Sequence, residues 1–127
     1  MAEQQAIQGE LQGQVMAALW RLSAGTVEQV REELPPRYQG AYNTIQTVLN
    51  RLVARGLLNR EREGRGFVYR PNVTEAEYLS GSIRRTLAGA SSGARQAALA
   101  SIIGGLRPDE LSELEELARQ SRDARRP

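Results

Sequence analysis

The 127-residue chain contains no cysteine, no histidine and no lysine. Without cysteine there is no disulfide, thiolate nucleophile or thiolate metal site, and without histidine the commonest acid–base group and metal ligand is gone as well. The absence of lysine excludes Schiff-base and lysine-base chemistry, and makes every basic side chain an arginine. Carboxylates alone remain for catalysis. They fall mostly on exposed helical positions beside arginines, and neither a glycine-rich phosphate loop after a strand nor a metal-ligand spacing occurs, so no enzyme, cofactor or metal is expected. No apolar run approaches the ~18 residues of a membrane span, and the start lacks the basic-then-apolar pattern of a signal peptide; a cytoplasmic protein with no membrane partner is expected. At this length the chain makes one domain, or one domain plus a small appendage, and buries somewhat under ~70% of the surface of its unfolded form.

The formal net charge of +2 is unevenly spread. From Arg37 to Arg70 seven arginines (37, 51, 55, 60, 62, 65 and 70) face two acids, Glu61 and Glu63, whereas from Thr74 onward eight arginines meet eight acids. A basic excess confined to one segment is the pattern of a nucleic-acid footprint. Arginines that merely solvate a hairpin would give the same local count, so charge alone does not decide.

Hydrophobic periodicity predicts the elements. A first helix over roughly Gly9–Leu22 has Leu11, Val15, Leu19 and Leu22 on one stripe, with Met16 and Trp20 as core or interface fillers. Ser23-Ala24-Gly25 ends it, Gly25 suiting a left-handed helix end. Thr26 either caps a second helix or lies in a one-residue stub of sheet. That helix buries Val27, Val30 and Leu34 and stops at Pro35-Pro36, which cannot donate to the helical ladder. A third helix runs from about Ala41 to Gly56. Leu58–Glu63 and Phe67–Arg70 then read as strands joined by Gly64-Arg65-Gly66, a hairpin tip. Helix, helix, helix, hairpin is the order of a winged helix. The predicted fold is therefore mainly α with a small β-hairpin: a winged helix-turn-helix over residues 1–72, then a helical region over 73–127. In the latter, Thr74 and Glu77 form a capping box, and Pro108, Asp109 and Glu110 suit the start of a last helix. These last three helices carry apolar stripes with too little sequence to close a core among themselves, and a second copy of the chain is the simplest partner. The alternative is that they fold back on their own winged helix.

The third helix carries an unusual outer face. Ile45, Val48, Leu49 and Leu52 share one stripe; opposite them, at the same spacing, stand Asn43, Gln46, Thr47 and Asn50. An ordinary solvated face in so charged a chain would carry Glu and Arg. Uncharged groups that donate and accept hydrogen bonds suit base edges in a major groove, where Asn and Gln pair with adenine and Thr offers a methyl or a hydroxyl. Arg51 and Arg55 along the helix, and Arg37 ahead of it, are expected to meet phosphates. Arg65, between two glycines at the hairpin tip, is expected in an adjacent minor groove, while Arg60 and Arg62 are expected to pair across the hairpin. A low-charge face docking another protein, as in a winged-helix module of a larger assembly, is the competing reading. Coincidence of the stripe with the basic segment favours double-stranded DNA, because protein-docking faces more often expose aromatics or leucine.

The stretches ELQGQVMAALW, TVEQV, YNTIQTVLNRLVARGLL, NREREGRGFVYRP and TEAEYL resemble the BlaI/MecI/CopY family of penicillinase repressors, as does the closing LRPDELSELEELA. The similarity covers roughly Gly9 to Leu79 strongly and the remainder by pattern. It implies a homodimeric transcriptional repressor on a dyad-symmetric operator, controlling β-lactam or stress-response genes. It puts base contacts on Asn43, Gln46, Thr47 and Asn50, and backbone contacts on Thr44 and Arg51. Dimer-forming side chains would be Tyr78, Leu79, Ile83, Leu99, Ile102, Ile103, Leu111, Leu114 and Leu117. The inducer, a sensor-protease or a small molecule, is left open. Copper-sensing members carry a C-terminal cysteine cluster that this chain lacks. Staphylococcal members are cut at an Asn-Phe bond, whereas the single phenylalanine here is Phe67, in the hairpin. Ala41 stands where a capping serine is common in the family, leaving the first amides of the third helix to Gly40 or water.

Overall fold

A computed structural model describes residues 9–125. Among them the order is α1 (Gly9–Leu22), α2 (Val27–Glu33), a 3-10 turn (Pro36–Tyr38), α3 (Tyr42–Ala54), β1 (Leu58–Glu63), β2 (Gly66–Pro71), α4 (Glu75–Ala88), α5 (Ser92–Gly104) and α6 (Pro108–Ala124). The chain divides into two compact units, one running up to Arg84 and the other from Arg85 onward. The first unit thus continues past residue 72, and its packing explains why. Val73 is buried, the Trp20 indole N–H donates to the Val73 carbonyl at 2.9 Å, and Tyr78 in α4 stacks on Trp20 with ring centroids 5.9 Å apart.

The core of this unit joins Val15, Met16 and Leu19 of α1, Val27 and Val30 of α2, Ile45, Leu49 and Leu52 of α3, and Leu57, Leu58 and Tyr69 around the hairpin. Each fully buried aliphatic side chain contributes on the order of 1.5–3 kcal/mol of burial free energy, and the helical stripes are narrow enough to supply such residues from one face only.

The connections are fixed by hydrogen bonds. Thr26 caps α2 in a reciprocal box: the Gln29 N–H donates to the Thr26 hydroxyl and the Thr26 N–H to the Gln29 side chain. The stub of sheet falls one residue earlier, where Gly25 and Tyr69 exchange backbone hydrogen bonds of 3.0 and 2.9 Å. Ser23, at φ 71°, takes the left-handed conformation expected of Gly25. Gly25 instead sits in a close approach, since a Cβ there would stand 3.3 Å from Leu22 Cδ1 and 3.4 Å from Val30 Cγ2, and the Leu22 side chain would have to give by a few tenths of an ångström. Between α2 and α3, Arg31 Nε donates to the Gly40 carbonyl at 2.6 Å and the Gln39 amide to the Leu34 carbonyl at 2.7 Å, which pins the start of α3.

Gly56, at φ 80°, ends the region of α3. The strands are antiparallel, with Glu63 opposite Gly66 and Arg60 opposite Tyr69, so the tip is the two residues Gly64-Arg65. Gly64 has φ 64°, the positive value that the first central position of a type II′ turn demands.

Of the C-terminal helices, α4 begins in the expected box: the Glu77 N–H donates to the Thr74 hydroxyl at 3.0 Å, and the Thr74 N–H to the Glu77 carboxylate at 3.1 Å. These bonds from Thr74, backbone first and hydroxyl second, hold the Glu77 carboxyl below its ordinary range. In the second unit, Ser91 caps α5 through the Ala94 amide, and Pro108 opens α6. No described residue of α4, α5 or α6 is fully buried.

Candidate nucleic-acid interface

With Ile45, Val48, Leu49 and Leu52 facing the core, α3 turns its opposite side outward. Asn43, Thr44 and Thr47 are exposed, and together with Leu11, Val48 and Arg51 they line a shallow trough of about 370 Å³. The Thr47 hydroxyl donates back to the Asn43 carbonyl at 2.8 Å, so its methyl and the oxygen's acceptor lone pairs are what it can offer an outside partner. The Arg51 guanidinium makes no hydrogen bond or ion pair with the described residues, and its charge is available to an anion.

Gln46, half-buried, lies on the wing-side edge of the same stripe. It lines a second cleft of about 310 Å³ between α3 and the wing, with Thr26, Glu28, Tyr42, Arg65, Phe67 and Tyr69 on its walls. Arg65 stands at this rim, exposed and without a hydrogen bond or ion pair to the described residues. Tyr42 and Glu28 were not expected here. Tyr42 precedes Gln46 by four residues, one helical turn, so extending the polar stripe back by one turn would have found it. Glu28 arrives from α2 and left no such trace.

Three expected site residues are placed differently. Asn50 does not present a free amide: its Oδ1 accepts from the Tyr69 hydroxyl at 2.8 Å and from Arg60 Nη1 at 2.7 Å. Arg55 does not extend to the phosphate side, because Nη1 donates at 2.7 Å to Oε1 of Gln12, a buried side chain of α1. The physical reason is angular. Arg55 lies two turns beyond Val48 and shares its α1-facing flank, whereas Arg51 lies on the outer side. Tyr78, expected at a dimer contact, packs on Trp20 inside the first unit. Arg37 remains exposed beside its neighbour, donating to the Tyr38 hydroxyl at 2.7 Å and lying 4.7 Å over its ring.

In the wing, Arg60 and Arg62 pair across the strands with the face of Phe67, at 4.4 and 5.2 Å from its centroid, rather than with acids. Cation–π contacts of this kind are worth ~0.5–1 kcal/mol at exposed sites. The one cross-strand ion pair among the described residues, Arg70–Glu61 at 3.8 Å, is exposed and contributes little.

Three packed helices, a short connection with a 3-10 turn between the second and third, and a two-stranded wing define a winged helix-turn-helix protein. The profile of the penicillinase repressor family matches residues 8–120. The chain belongs to that family, whose members are transcriptional repressors. It is 39% identical over 108 residues to the transcriptional regulator BlaI of Mycobacterium tuberculosis, covering 84% of this chain and 78% of that protein. It is 41% identical over 66 residues to the penicillinase repressor of Bacillus licheniformis, covering 52% of each; the match spans about half the length of that relative. Among solved structures, the DNA-binding domain of the repressor BlaI superimposes with a TM-score of 0.50 at 36% identity, over 60% of this chain and 94% of that domain.

Proposed function

We propose that the chain represses transcription by binding a dyad-symmetric operator as a homodimer, with α3 of each copy in a major groove. Asn43 and Gln46 read bases through their amides, and Thr47 offers its methyl to a thymine. Thr44, Arg51 and Arg37 hold phosphates and set the register. Arg65 reaches from the wing into the neighbouring minor groove. The second copy is held by apolar side chains of α4–α6: Leu79, Ile83, Ile102, Ile103, Leu114 and Leu117 are exposed in the single chain, and Leu99 and Leu111 are half-buried. Exposed apolar stripes of this extent mark association surfaces. The protein acts where its DNA is, in the cytoplasm; among the described residues no helix is long and apolar enough to cross a membrane.

The observation that supports this reading best is the exposed, uncharged trough of Asn43, Thr44 and Thr47 beside the Arg51 guanidinium, which has no partner among the described residues. Selection from a pool of randomised duplexes yields the preferred sequence, against which variants are titrated. Asn43→Ala and Gln46→Ala each cost ~1–3 kcal/mol on that sequence and much less on unrelated duplex. Equal losses on both would show that neither side chain reads bases.

A further inference from the structure

Asn50 lies one turn beyond Gln46, yet its amide is already engaged. Because a guanidinium only donates, the atom facing Arg60 must be the amide oxygen, and that oxygen has two lone pairs. The Tyr69 hydroxyl and Arg60 occupy both. Bidentate pairing with adenine requires the same oxygen to accept from the base, so Asn50 in this state has only its two N–H donors left.

The partners of Asn50 are themselves anchored. Tyr69 is fully buried, and its main chain exchanges two hydrogen bonds with Gly25 in the turn before α2. The Arg60 guanidinium lies over the ring of Phe67 on the opposing strand, 4.4 Å from its centroid. The wing is thus fastened through backbone at Gly25 and through one side-chain atom on α3.

We propose that Asn50 is a positioning residue, a brace that sets the angle between the wing and the reading helix. It thereby sets where Arg65 lands relative to the bases beneath Asn43 and Gln46. This rests on the DNA reading proposed above, but the brace itself exists without DNA and can be measured without it. Truncating Asn50 leaves the Tyr69 hydroxyl without its acceptor and releases Arg60, so the loss falls on the geometry of the wing. A base reader would instead lose affinity for one sequence and leave the free protein unchanged.

Three variants of the full chain separate these roles. Asn50→Ala removes the brace, Tyr69→Phe removes one of its bonds, and Asn50→Asp keeps oxygens that accept from both partners while discarding the N–H donors. In the absence of DNA, amide hydrogen exchange across Leu58–Pro71 is expected to quicken about threefold to tenfold in Asn50→Ala and in Tyr69→Phe. The double variant should be no faster than Asn50→Ala alone, since Asn50→Ala already removes the bond that Tyr69→Phe breaks, and Asn50→Asp should retain wild-type protection. On a mixed-sequence duplex, Asn50→Ala is expected to flatten the salt dependence of binding as Arg65→Ala does. Hairpin exchange unchanged in Asn50→Ala, or quickened as much in Asn50→Asp, overturns the brace. If Asn50→Ala does not fold, Tyr69→Phe supports the same exchange comparison. A wild-type protein that binds no duplex removes the DNA reading, and the exchange result still decides the brace.

Discussion

The indole N–H of Trp20 donates to the carbonyl of Val73 across 53 positions of sequence, closing the end of the winged helix just where α4 begins. Tyr78 covers the same indole from the first turns of α4. Trp20 is the one tryptophan of the chain, so its fluorescence reports this junction. Trp20→Phe is expected to lower stability by about 1 kcal/mol through the lost hydrogen bond, or roughly 4–8 °C in Tm for a unit of this size. Tyr78→Ala should shift the Trp20 emission to the red at any protein concentration. A shift appearing only on dilution would return Tyr78 to the dimer contact.

Among the described residues the Arg65 side chain has no hydrogen-bond or ion-pair partner to lose. Arg65→Ala is therefore expected to leave Tm unchanged while lowering the slope of log affinity against log salt by about one, the signature of a single phosphate-like contact. Anisotropy titrations at several salt concentrations measure it, and an unchanged slope takes the wing tip out of the interface.

Light scattering at micromolar concentration is expected to give about twice the 14.0 kDa chain mass. Ile102→Glu or Leu117→Glu puts a charge into the proposed seam and should yield monomers that bind a full operator more weakly, with the winged helix still folded. Wild-type monomers at that concentration would argue against paired half-sites one helical turn or its multiples apart.

Glu77 makes the start of α4 sensitive to acid. Its carboxyl is held below the ordinary range by hydrogen bonds from Thr74, so the stabilisation is fully present above the unfolded value and is lost as pH falls through the lowered folded one. Helical content followed by circular dichroism from about pH 6 to about pH 3 should decline less steeply in Glu77→Gln, which keeps an acceptor but has no proton to gain. Superimposable curves would show that the box does not govern the start of α4.

Much of the winged helix is legible in the sequence because its determinants are local. The three helices follow from apolar spacing, Pro35-Pro36 stops α2, Gly56 follows α3, and Gly64 supplies the positive φ of the tip. Gly25 shows the limit of such inference: it has the residue type of a helix end but serves the close approach of Leu22 and Val30, a contact set by how α1 and α2 pack on each other and not by the turn's own residue pattern.

The candidate site divides in the same way. The polar stripe of α3 could be read as a stripe because helical geometry fixes angles around a single axis. What stands opposite each angle is not in that geometry.

By itself, the amino-acid sequence determined the element order, the basic segment, the outward position of Asn43, Thr47 and Arg51, and the exclusion of thiol, imidazole and lysine-amine chemistry. Tertiary structure alone decided that Asn50 turns to Tyr69 and Arg60, that Arg55 turns to Gln12, and that Tyr78 closes over Trp20. The reason is that periodicity specifies which way a side chain points, whereas a hydrogen-bond partner or an aromatic neighbour is delivered by another element through the packing of the core.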